Sequence, residues 1–207
     1  MKTTFPNIYK ALGTDEKRPT YSYAIIEDGK IVATNGRVLI FSDFSNYVIN
    51  PELSENKVFD RDLLKWMTKK DFYQLECTHT GIVAYSTKGM EEKAYSGHFE
   101  VKEITKDNGN KFITRPIFVN AGKREIGGYP NWKSAIPCDE DYTESKEIER
   151  IGFDMNLLKM ISDSFAYDSK EIRLKFEFRG ANKPFRVSPL CGLYGEQQAI
   201  LYPFELD

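Results

Sequence analysis

Three apolar runs, Tyr21 to Glu27, Lys30 to Thr34 and Arg37 to Phe44, are separated by the dipeptides Asp28-Gly29 and Asn35-Gly36. Asp-Gly and Asn-Gly supply the positive φ angles of tight hairpins, so this pattern predicts a three-strand meander. Before it, the apolar and basic stretch Asn7 to Leu12 ends at Gly13 and predicts a brief helix with a left-handed glycine stop. After Asn50-Pro51 the period changes. Lys57 to Phe59 reads as extended, Asp60 as a cap, and Arg61 to Lys70 as a helix with Leu63, Leu64 and Met67 on one face. Strands return in Phe72 to Thr78, Ile82 to Ser86 and Lys93 to Ile104, with Gly81 and Gly89 at the breaks. The polar turn KDNGN, Lys106 to Asn110, precedes an extended run, Phe112 to Asn120, and then the glycine- and proline-rich GGYPNWKSAIP. A domain boundary is placed near Lys111, dividing the chain into residues 1–111 and 112–207, with the acidic stretch CDEDYTESKE as the rival position.

The pattern repeats. FDRDLLKWM, Phe59 to Met67, matches FDMNLLKMI, Phe153 to Ile161, with Phe, Asp, Leu, Leu and Lys recurring 94 positions apart. Both copies continue into an extended run, a glycine (Gly81; Gly180) and a second extended run. Self-similarity at a long period implies one supersecondary unit used more than once. The N-terminal helix and meander form a third, divergent copy. The fold class is therefore α+β: strand-helix-meander units with helices on one face of antiparallel sheets.

At about 100° per residue, the leucines and Met67 cluster on one side of the first repeated helix, and Arg61, Lys65 and Lys69 line the other. The second copy keeps Leu157, Leu158, Ile161 and Phe165 toward the core and Lys159 in the place of Lys65, with Ser162 and Asp163 weakening its positive character. Helices that carry Lys or Arg outward from a sheet can approach phosphates without reading bases. Arg61, Lys65, Lys69 and Lys159, with Lys10 beside them, are the candidate contacts to duplex DNA. A solvated face with scattered lysines is the ordinary alternative for any single helix.

Composition narrows the classes. Of the 207 residues 41% are hydrophobic, enough for at least one full core. The 29 Lys+Arg against 31 Asp+Glu give a net charge of −2, which argues against a general polycationic coat and allows a local basic face. No run approaches the roughly 18 apolar residues of a membrane span, and the start has no signal-peptide core; the expectation is a cytoplasmic protein with no membrane partner. Cys77, Cys138 and Cys191 lie far apart, and His79 and His98 cannot form a helical metal pair, so no metal or cofactor is expected.

The sequence resembles the bacterial DNA polymerase sliding clamp, the β subunit of the replicative polymerase. RPTYSYAIIEDGKIVATNGRVLIFSDFS, Arg18 to Ser45, resembles its "EDGxLxLxATD" meander. GGYPNWKSAIP, Gly127 to Pro137, resembles its "GxFPDYxxVIP" segment at a domain junction, and the end, AILYPFELD, resembles its "YVVMPMRL" C-terminus. The repeated FDxxLLKxM units are similar to "FNPxYLLDAL". The resemblance implies a ring of similar domains with helices lining the hole, a homo-oligomer, and a non-enzymatic processivity factor. It also implies a pocket for short peptides from polymerase or other clients, to which Tyr202, Pro203, Phe204 and Leu206 contribute; Glu205 stands where the family pattern is basic. Phe112 to Ile126 offers strands but no helix, which leaves the second domain short of one helix-bearing half.

Two other classes stay open. An interaction module would keep the clamp fold and peptide pocket without encircling DNA. An enzyme is opposed by the absence of a P-loop, a GxSxG elbow or a metal-spaced cluster; Glu91-Glu92 and Asp139-Glu140-Asp141 read as surface runs, although catalytic groups can converge from distant positions.

Overall fold

The computed structural model describes residues 5–14, 18–55, 57–69, 72–78, 81–86, 112–114, 129–138, 151–165, 173–180, 183–190 and 197–203. The expected strand Lys93 to Ile104, the KDNGN turn, both histidines and Cys191 lie outside them.

The meander forms as its pattern predicts, with β1 (Tyr23–Glu27), β2 (Lys30–Thr34) and β3 (Val38–Asp43) paired antiparallel. Asp28 and Gly29 both take positive φ, 51° and 69°, as a two-residue hairpin turn requires. The second turn differs from expectation. Gly36 has φ +87° but Asn35 stays out of the left-handed region, because its side chain accepts hydrogen bonds from the backbone N–H groups of Arg37 (2.9 Å) and Val38 (3.0 Å) and holds a wider loop.

The N-terminal stretch is a 3-10 turn, Ile8–Ala11, without a left-handed stop at Gly13. Gly13 is needed for close approach instead: a Cβ there would lie 2.9 Å from the Cβ of Tyr21, whose carbonyl accepts the Gly13 N–H at 2.7 Å.

Next come β4 (Val48–Ile49), β5 (Val58–Asp60) and α1 (Arg61–Met67). Asp60 caps α1 by accepting the Leu63 N–H at 2.7 Å. The helix stops short of Lys70, and the Thr68 hydroxyl donates to the Lys65 carbonyl at 2.7 Å. Strands β6 (Phe72–Cys77), β7 (Ile82–Ser86) and β8 (Phe112–Thr114) follow. The second copy of the repeat is α2 (Met155–Ser164), capped by Asp154, which accepts the Asn156 N–H at 2.8 Å. It leads into β9 (Leu174–Glu177), β10 (Phe185–Pro189) and β11 (Gln197–Leu201).

A seven-stranded sheet runs in the order β5-β1-β2-β3-β11-β10-β9, all antiparallel, and a four-stranded sheet in the order β4-β6-β7-β8. The junction β3-β11 pairs Leu39 with Ile200 and Val38 with Leu201, so one sheet joins strands from both sides of Lys111.

Both faces of the larger sheet are covered, which explains why its central strands read as nearly continuous apolar runs. Ala24, Ile26, Ile31, Ala33, Ile40 and Leu201 face the main core, together with Leu63, Leu64 and Met67 of α1 and Leu157 and Ile161 of α2. Ile25, Val32, Leu39, Phe41 and Ile200 face the other way, against Trp132 and the residues around it. Cys77 belongs to the main core, where burial pushes its thiol up to about 12, so it packs as a neutral side chain.

Candidate functional site

Two surfaces emerge from this packing. The first is the helical side, where the N-terminal turn touches both α1 and α2. Arg61 does not project outward as its helical position predicts. Its guanidinium donates to the carbonyls of Tyr9 (3.1 Å), Leu12 (2.8 Å) and Gly13 (3.5 Å), satisfying the end of the 3-10 turn. Lys10 pairs with Asp163 of α2 at 3.1 Å, and Lys159 reaches the same carboxylate at 3.5 Å. The Lys10 hydrogen bond, reinforced by Lys159, holds the Asp163 carboxyl below its ordinary value. Lys65 is exposed, and the Lys69 ammonium lies 5.8 Å from the Phe72 ring centre.

The turn is thus tied to α1 by Arg61 and to α2 by Lys10. Replacing Arg61 with methionine is expected to cost about 1.5–3 kcal/mol in urea unfolding, because the charge-assisted hydrogen bonds to the Tyr9, Leu12 and Gly13 carbonyls disappear. A cost below about 0.5 kcal/mol, the low end for a hydrogen bond, would show that water replaces the guanidinium without penalty.

The second surface is a groove of about 140 Å³ over the β3-β11 junction, lined by Tyr21, Val38, Leu39, Trp132, Ile200 and Tyr202 among others. Strand pairing brings it together: once Leu201 sits opposite Val38, Tyr202 must emerge beside the Gly36-Arg37 loop. The 3-10 turn Trp132–Ala135 forms the remaining wall. Its anchor is Trp132, buried 5.6 Å from the Phe41 ring, with its indole N–H donated to Glu27. Lys133 bridges Glu27 and Asp28, and hydrogen bonds to Asp28 and Glu27 hold its ammonium above the ordinary lysine value. The Tyr129 hydroxyl donates to the Val32 carbonyl at 3.2 Å, and burial pushes the phenol up, keeping it a donor.

Tyr202 is 58% exposed and Pro203 half-buried at the groove end of β11; Phe204 and Leu206 lie outside the described residues. The structure therefore adds Thr34, Gly36, Arg37, Pro130 and Trp132 to the C-terminal residues. Their motifs, ATNGR and YPNW, are visible in the sequence, but only the β3-β11 register shows that they share a site. Among the described residues no group of His, Cys, Asp and Glu is placed to hold a metal ion, and no helix is long and apolar enough to cross a membrane.

No protein-family model matches the chain, and no curated protein sequence matches it. Solved structures do. The DnaN sliding clamp (DNA polymerase III subunit beta) of Bartonella birtlesii, bound to griselimycin, superposes with a TM-score of 0.50 at 12% identity, over 97% of this chain and 64% of that one. The DNA polymerase III subunit beta of Borrelia burgdorferi, in complex with a natural product, gives 0.50 at 11% identity, over 99% of this chain and 62% of that one. The chain thus spans less than two thirds of the length of these clamps. Two helices packed on one face of the larger, antiparallel sheet, beside a smaller sheet in which β4 runs parallel to β6, superpose on these subunits and make the fold α+β and DNA clamp-like.

Proposed function

We propose that the chain is a non-enzymatic, clamp-like tether. The groove over the β3-β11 junction holds a short linear peptide of a polymerase or another client. The side bearing α1, α2 and the N-terminal turn lies against duplex phosphate through Lys65, Lys69, Lys159 and Lys10, without base readout. The division into residues 1–111 and 112–207, and assembly into a homo-oligomer in the cytoplasm, belong to the same proposal.

One observation carries it: three segments remote in sequence, each resembling a clamp motif, converge on one apolar groove with an exposed tyrosine at its rim. An open apolar groove with a few polar groups at its rim suits the side chains of a short linear peptide. Fluorescence anisotropy with a labelled clamp-client peptide tests this reading. Saturable binding that weakens at least fivefold in Tyr202→Ala is expected; a folded protein that binds no such peptide would refute the tether.

The interaction-module reading, in which the clamp fold no longer encircles DNA, is favoured by the use of Arg61 within the fold and by the sharing of Asp163 between Lys10 and Lys159. Duplex binding decides between them. If the lysines meet phosphate, Lys65→Glu with Lys159→Glu weakens binding and flattens its salt dependence, by about 0.9 in slope for each phosphate no longer neutralised. Undiminished binding by that double variant would remove the assigned surface, whereas peptide binding without duplex affinity would select the module.

A further inference from the structure

Two of the lysines assigned to duplex phosphate meet the same carboxylate oxygen. Lys10 of the N-terminal turn and Lys159 of α2 approach Oδ2 of Asp163 at 3.1 Å and 3.5 Å, so two ammonium groups and one carboxylate leave a net charge of +1. The Asp163 side chain is 32% exposed and that of Lys159 76%, which puts the trio at the surface, within reach of a polyanion. The hydrogen bond from Lys10, reinforced by Lys159, holds the Asp163 carboxyl below its ordinary value, and the group stays ionised at neutral pH.

Neither the repeat nor the helix calls for an acid at this place. Counted 94 positions back, Asp163 corresponds to Lys69, so the first copy carries a cation where the second carries an anion. An acid in the last turn of α2 also faces the negative end of the helix dipole, which is unfavourable for the helix alone. The end of α2 is closed by other groups: the Phe165 N–H donates to the Ile161 carbonyl at 3.3 Å and the Ser164 hydroxyl to the Met160 carbonyl at 2.7 Å. What the Asp163 carboxylate does is hold two ammonium groups. A phosphate that approaches either lysine has to displace it, and then meets its negative charge at close range.

From this geometry we infer that Asp163 is an internal counter-ion, which competes with duplex phosphate for Lys10 and Lys159 and keeps binding on this face weak. The inference rests on the duplex-facing reading of these lysines and adds the residue that limits the strength of the contact.

Its test measures binding of a labelled DNA duplex of mixed sequence to the full chain. At about 50 mM salt Asp163→Asn is expected to bind about fivefold tighter than the unaltered protein, with a salt slope steeper by up to about 0.9 as one more phosphate is neutralised. In a background of Lys10→Gln with Lys159→Gln the same substitution changes affinity by less than about twofold, since the competed groups are gone. Glu177→Gln controls for net charge: it removes a lysine-paired carboxylate from the sheet face opposite the helices and leaves affinity unchanged. Asp163→Ser repeats the measurement with a second side chain, and circular dichroism checks the fold of each variant. Duplex binding that both Asp163 variants leave unchanged or weaken would overturn the counter-ion role while leaving the lysine face a duplex site. So would a gain that persists without Lys10 and Lys159, or an equal gain from Glu177→Gln. Binding seen only after Asp163 is replaced supports the role. If neither the unaltered protein nor the folded variants bind duplex, both the duplex-facing reading and the inference built on it fall.

Discussion

Replacing Phe59 by alanine is expected to cost about 3–5 kcal/mol of folding stability, whereas Phe153→Ala at the matching position of the repeat costs about 1–2 kcal/mol. Phe59 is fully buried in β5, with the Phe44 ring edge-on at 5.6 Å. Its removal leaves a hole beneath the start of α1 that the sheet cannot close, since β5 is held to β1 through Phe59 opposite Ala24. Phe153 is only half-buried, within 5.4–6.2 Å of Phe176, Phe178 and Phe185, and water can enter where its ring was. Urea unfolding of both variants measures the difference. Equal costs would mean that the two repeat copies are energetically equivalent despite their unequal burial.

A second large effect is expected at Gly36, where valine should destabilise the protein by about 2–4 kcal/mol and, if the groove is the proposed peptide site, reduce binding of the client peptide at least tenfold. A non-glycine residue held at a left-handed backbone costs about 1–3 kcal/mol, more for a β-branched one. Steric overlap adds to it, because a Cβ at position 36 would lie 2.9 Å from the Tyr21 ring. Tyr21 is itself part of the groove wall, so any relief of the clash moves the wall. Gly29 provides the control. It shares positive φ at +69° but has open space around its Cβ position, so Gly29→Val should lose stability through backbone strain alone and keep peptide affinity. If Gly36→Val binds peptide like the unaltered protein, the groove does not depend on the geometry of the Gly36 loop.

Both predictions turn on positions whose residue type is readable from the sequence but whose surroundings are not. The capped helices show how much local pattern conveys. Asp60 and Asp154 lie in matching places of FDxxLLK, and each accepts a backbone N–H of the helix it precedes. A cap depends on groups two or three residues away, and so does the Asp28-Gly29 turn. The basic face shows the converse. Helical spacing places Arg61 with Lys65 and Lys69, but a long side chain turns toward whatever acceptors its neighbours offer, and these carbonyls come from residues about fifty positions earlier. Gly13 is a similar case: its sequence setting reads as a helix stop, whereas the constraint on it comes from Tyr21 packed against it. Trp66, unassigned by the apolar face of α1, is buried 4.9 Å from Phe72 of the following strand.

The three-strand meander, the repeated capped helix and the α+β class are legible in local pattern, because turn dihedrals, caps and hydrophobic period act within a few residues of one another. Which segments share a surface depends on strand pairing between distant parts of the chain. The pairing of β3 with β11 sets Val38 against Leu201, and because these partners lie far apart in the chain, only that long-range register brings Tyr202, Arg37 and Trp132 to one groove.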